Sequence, residues 1–107
     1  MKVLLDENLP KKLKSDFSEL EAYTVSERGW NGRSNGDLIK LMLAENFDVL
    51  LTFDKNLEHQ QNFEKFPVCV FALNAPDNTD ATLRYLVPLI KQKLTEPLIV
   101  GVTEINL

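Results

Sequence analysis

A single cysteine, Cys69, leaves the chain nothing with which to close an internal disulfide, and this predicts a protein of a reducing, cytoplasmic compartment. It lies in the apolar run Val68-Cys69-Val70-Phe71, where a buried, inert thiol is expected rather than a nucleophile. The one histidine, His59, has no Cys or second His beside it, so a zinc site has no ligand set to build on. No apolar run approaches the roughly 20 residues of a membrane span, and no signal peptide is expected ahead of the first strand-like segment. A phosphate-binding glycine loop, a serine-hydrolase elbow and a dinucleotide fingerprint are all missing. Positive charge is scarce too. Twelve basic against sixteen acidic residues give a net charge of −4, which argues against a general nucleic-acid-binding surface. Seven of the basic residues fall within positions 1–40, so any phosphate contact belongs to local cations there.

What remains is a chain of 107 residues, near the commonest size for one domain, so a single domain over residues 1–107 is expected. Lys2–Leu5 reads as a central strand covered on both faces, because it is apolar without alternation after its first residue. Asn8 and Pro10 are suited to opening a helix, in which Leu9, Leu13, Phe17 and Leu20 recur at helical spacing. Strands are predicted at Ala22–Ser26, Val49–Thr52, Val68–Leu73 and Leu98–Val102. A helix opened by Ser34-Asn35-Gly36-Asp37 turns Leu38, Ile39, Leu41 and Met42 inward. A last helix carries Leu83, Leu86, Val87, Ile90 and Leu94, kinked or split at Pro88. This alternation predicts an α/β fold: a three-layer sandwich around a central, mostly parallel sheet of four to five strands, with right-handed crossovers placing helices on both faces.

Three aspartates stand where such a chain leaves a strand or enters a helix. Asp6 follows Val3-Leu4-Leu5, Asp54 follows Val49 to Phe53, and Asp37 heads the second helix. In open α/β sheets, sites form beyond the carboxyl ends of the strands. Asp6 and Asp54 belong to such ends, and the helix between them starts on the same edge. Three carboxylates gathered there repel one another unless a cation sits among them, and Mg²⁺ or Mn²⁺ suits all-oxygen donors. Glu7 and Asn8 can add oxygen ligands, and Thr52 can orient an acid by hydrogen bonding. Lys11, Arg28, Arg33 and Lys55 are candidates to meet phosphates. The blander alternative is that each aspartate only caps a helix or ends a loop, and Ser34-x-x-Asp37 does resemble a capping box. Trp30 is read as a packing residue, with a base-stacking platform as the alternative.

The segments Val3-Leu4-Leu5-Asp6-Glu7-Asn8-Leu9-Pro10, Gly36-Asp37-Leu38 and Val49-Leu50-Leu51-Thr52-Phe53-Asp54-Lys55 resemble a family of small bacterial PIN-like proteins. Gly29-Trp30-x-Gly32-x-x-Asn35-Gly36 is similar to one branch of it. The resemblance covers most of residues 1–75 and implies a shortened PIN-like fold. It further implies a Mg²⁺- or Mn²⁺-dependent ribonuclease of cytoplasmic location, the toxin of a bacterial toxin–antitoxin pair, with RNA as substrate and a small antitoxin protein as partner. By position it assigns Asp6, Asp37 and Asp54 as the catalytic, metal-binding acids. A fourth acid, common in those nucleases soon after the third, has no good counterpart, since Asn56 and Glu58 are poor substitutes. A homodimer is compatible with this reading.

Two alternatives stand beside it. A non-catalytic PIN-like partner-binding module keeps the acids for stability or docking. A receiver-like phosphoacceptor domain shares an acidic pair after the first strand and an aspartate after the third. It also needs a Ser or Thr ending the fourth strand and a Lys ending the fifth, where this chain reads Ala72-Leu73-Asn74 and Val102-Thr103-Glu104.

Overall fold

The computed structural model describes residues 1–54 and 62–107. Its strands are β1 (Lys2–Leu5), β2 (Glu21–Thr24), β3 (Val49–Thr52), β4 (Cys69–Asn74) and β5 (Gly101–Asn106). They form one sheet in the order β2-β1-β3-β4-β5, and every neighbouring pair is parallel. Parallel neighbours cannot be joined by a tight hairpin, so the connections cross the faces of the sheet.

Both faces are therefore covered, and the side chains alternate between two cores. Val3, Leu5, Val49, Leu51, Cys69, Phe71 and Leu73 point to one face. Packed on it are Leu13 and Phe17 of a 3-10 helix (Lys11–Phe17) and a C-terminal helical layer. That layer runs as α2 (Asp80–Leu83), a 3-10 turn (Arg84–Leu86) and α3 (Val87–Leu94). Leu4, Leu50 and Val70 point to the other face, against Leu38, Ile39 and Met42 of α1 (Asn35–Ala44). Trp30 joins this second core, 8% exposed and edge-on to Phe47 with ring centroids 5.8 Å apart. Pro88 splits the last helix as expected and lies in the first turn of α3, where its missing N–H leaves no bond unmade. Cys69 is buried, and burial pushes its thiol up to about 11. Among the described residues no helix is long and apolar enough to cross a membrane.

Three sequence expectations need correction. The helix after β1 is a 3-10 helix, and Asn8 does not cap it: Pro10 stands at the cap with no side-chain bond. The last strand begins at Gly101, not Leu98; Leu98 packs on the core, while Ile99 and Val100 lie exposed ahead of the strand. The hand of the crossovers is not uniform either. The steps β1 to β2 and β2 to β3 run in opposite directions on opposite faces, so they share one hand. The step from β4 to β5 runs outward on the same face as the first and has the other hand. Such a mixture breaks a rule that nearly all parallel crossovers obey. The opposite face is already occupied by α1, Phe63 and Phe66.

Candidate active site at the carboxyl ends of β1 and β3

The strand order reverses between β1 and β3, which are hydrogen-bonded neighbours, and ligand crevices in α/β sheets open at that point. Asp6 continues the β1 ladder, its N–H donating to the Leu51 carbonyl at 2.9 Å. Leu4 and Leu50 face α1, so the period of two aims Asp6 and Thr52 toward α1 as well.

The Thr52 hydroxyl is the centre of the arrangement. It donates to Asp6 Oδ2 at 2.7 Å, and accepts from the Asp54 N–H at 3.1 Å and from Asn8 Nδ2 at 3.3 Å. A hydroxyl has one hydrogen and two lone pairs, and here all three are engaged. Its rotor is thereby fixed with the proton on Asp6. Asp6 Oδ1 accepts the Glu7 N–H at 2.8 Å. With Asp6 only 8% exposed, burial raises its carboxyl pKa above the ordinary value. The bonds from Thr52 and Glu7 act in the opposite sense, and the charges of Glu7 and Asp54 add to the rise.

Asn8 ties the two strand ends together. Besides its bond to Thr52, its Oδ1 accepts the Phe53 N–H at 3.1 Å, and its carbonyl accepts Asn78 Nδ2 at 2.9 Å. Glu7 reaches the loop ahead of α1, accepting the Gly32 N–H at 3.2 Å. Gly32 has φ +77°, a left-handed conformation that favours glycine.

At the head of α1 the structure selects a residue that the sequence reading passed over. Asn35 Nδ2 donates to Asp54 Oδ2 at 3.0 Å. Asp37 is exposed, and its N–H donates to Ser34 Oγ at 3.2 Å, completing the helix cap. Two positions along an α-helix turn a side chain by about 200°, so Asn35 and Asp37 leave α1 on different sides. Hydrogen bonds thus join Asp6, Asn8, Thr52, Asp54 and Asn35, with Glu7 beside Asp6, while Asp37 is exposed at the head of the same helix. Among the described residues no group of three His, Cys, Asp or Glu side chains is placed to hold a metal ion. The available signal for Asn35 was its place directly after the Ser34 cap, at the first position of a helix that starts on this edge.

The candidate phosphate contacts divide. Arg28 pairs with Glu45 at 2.6 Å and lies over Trp30, 4.9 Å from the ring centroid. Its guanidinium also approaches the rings of Tyr23 and Phe47, which makes it part of the packing around that corner. Arg33 and Lys11 are exposed. Lys55 lies outside the described residues, as do Asn56, Glu58 and His59.

The oxygens of Asp6 and Asp54 suit a hard divalent cation of the Mg²⁺ kind, which is commonly held by one or two carboxylates with water and substrate phosphate filling the other positions. Asp6 uses one acceptor position on each oxygen for Thr52 and Glu7, which leaves lone pairs on both. The strand order is also that of receiver domains. However, β4 and β5 end in Asn74 and Asn106, bonded to each other at 2.7 Å, where a receiver requires a hydroxyl and a lysine. Comparison with protein-family models, curated proteins and solved structures returns no match for the chain.

Proposed function

We propose that the chain is a metal-dependent ribonuclease that hydrolyses RNA phosphodiester bonds, using Mg²⁺ or Mn²⁺ held by Asp6 and Asp54. The observation that carries this reading is the Thr52 hydroxyl, which bonds the Asp6 carboxylate and the backbone N–H of Asp54 at adjacent strand ends. A divalent ion at this place supplies polarisation of a phosphoryl oxygen and activation of a water. Thr52 and the Glu7 N–H hold Asp6 in one orientation, and Asn35 bonds the carboxylate of Asp54. Arg33 and Lys11 are exposed cations on chain segments that flank the site, available to offset backbone charge. A role as the toxin of a toxin–antitoxin pair, with a small antitoxin protein as partner, follows from the PIN-like resemblance and is part of the proposal.

The test is cleavage of single-stranded RNA with Mn²⁺, alongside melting with and without the ion. A ligand that binds only the folded chain raises its melting temperature. Loss of cleavage and of the Mn²⁺ shift in both Asp6→Asn and Asp54→Asn is expected. Cleavage that persists unchanged in both variants defeats the reading. A second reading, a non-catalytic partner-binding module, draws on the exposure of Asp37 and on the carboxamide bonded to Asp54. It predicts no Mn²⁺ shift and no cleavage by the native chain.

A further inference from the structure

We propose that Asn35 is the positioning residue of this site, which orients Asp54 for the cation without adding a charge to the binding group. The inference rests on the metal-dependent reading above and deepens it. Two bonds to described residues hold Asp54. Its backbone N–H is anchored on Thr52 Oγ1 at 3.1 Å, and its Oδ2 receives the Asn35 carboxamide at 3.0 Å. The first anchor fixes where the residue sits, and the second fixes the rotation of the carboxylate about its own axis. A carboxylate so held presents the same lone pairs at every encounter with an ion. Groups that orient metal ligands in this way affect affinity nearly as much as the ligands do.

The identity of the residue matters as much as its place. Asn35 opens α1 on the edge where the strands end, so a carboxylate there would add a further negative charge beside Asp6, Glu7 and Asp54. The amide bonds Asp54 without adding that charge. A pair of carboxylates leaves most of the coordination shell to water and to the substrate's phosphate. The ion should therefore be held loosely without substrate. The charge count of a site is a main determinant of how tightly it holds such ions.

The experiment measures Mn²⁺ affinity of the full chain by calorimetry and by melting-temperature shift, for the native protein and for Asn35→Ala, Asn35→Asp and Asp37→Ala. Melting in EDTA records the stability of each variant apart from metal binding. Asn35→Ala is expected to weaken Mn²⁺ binding about tenfold, the scale seen when an orienting partner is removed. Asn35→Asp is expected to tighten it, since it adds a carboxylate beside Asp54. If Asn35→Ala destabilises the fold, Asn35→Asp still decides the matter. Native-like affinity in Asn35→Ala, weakened binding in Asn35→Asp, or a loss in Asp37→Ala as large as in Asn35→Ala overturns the role of Asn35 and leaves the metal-dependent reading standing. Absence of any Mn²⁺ response in the native chain overturns both.

Discussion

Replacing Thr52 by valine removes one oxygen atom and keeps the shape of the side chain, which makes it the sharpest test of the network at the strand ends. Thr52 is fully buried, and its hydroxyl serves three partners at once. The bond to Asp6 is charge-assisted, a kind that contributes about 1.5–3 kcal/mol. Asp54 and Asn8 are only half-buried, so water can replace part of what their bonds to Thr52 supply. A methyl group would also stand against a carboxylate that is only 8% exposed. Together these give a loss of about 3 kcal/mol, a large share of the roughly 5–15 kcal/mol that stabilises a typical domain. Urea unfolding should show a lower midpoint with an unchanged slope, because the surface exposed on unfolding does not change. The melting temperature should fall by roughly 10–20 °C. Thr52→Ser keeps the hydroxyl and should lose only about 1 kcal/mol, for the missing methyl. The deficit of Thr52→Val should narrow toward acid pH, where Asp6 takes up its proton and the charge no longer needs a donor. A Thr52→Val protein within about 0.5 kcal/mol of the native one refutes the assignment of the hydroxyl as the centre of the site.

The raised carboxyl of Asp6 has its own signature. Its folded pKa exceeds the unfolded value of 3.8, so the native state binds the proton more tightly. The contribution of this group to stability therefore falls as pH rises from that value through the folded one, and is constant above it. The difference in unfolding free energy between native chain and Asp6→Asn, followed from pH 3 to 7, should carry this slope; a flat difference rules it out. Gly32→Ala should destabilise the fold by about 1–2 kcal/mol through its left-handed backbone alone, since nothing lies within 4 Å of the added carbon, and Gly32→Asn should cost less. Urea titration checks both. Arg28→Ala should lower stability by about 1–2 kcal/mol by removing the contact with Trp30, and Arg28→Lys by less. Equal stability of Arg28→Ala and native protein would show that the stacking contributes nothing.

The sequence was most readable where one physical demand acted alone. The apolar runs of β1 and β3 declare themselves because a strand buried on both faces is apolar without alternation, and an aspartate within two residues of each strand's end marks the edge of the sheet. Leu9, Leu13 and Phe17 signalled a helix, but its type depends on the distance to be covered. A strand of four residues is about 13 Å long. The seven residues Lys11–Phe17 cover that length at the rise of a 3-10 helix, about 2.0 Å per residue, and fall short at the α-helical 1.5 Å. The shift of β5 has a similar cause. Hydrophobicity marks burial, and an edge strand that buries only Ile105 along its length carries little of it, so the greasier Leu98–Val100 attracted the assignment. Asp37 was favoured over Asn35 because a search for metal ligands ranks acids first. Helical phase, which the sequence does encode, places the amide at the site and turns the acid outward.

The depth at which Cys69 lies has a practical use. At neutral pH a thiol with a pKa of about 11 is almost entirely protonated, and its burial keeps dyes and spin labels away from it. A probe cysteine placed at an exposed position, for instance by Tyr85→Cys where the native side chain is 72% exposed, would take a maleimide alone. Fluorescence or distance measurements on this protein can then keep the native sulphur in place.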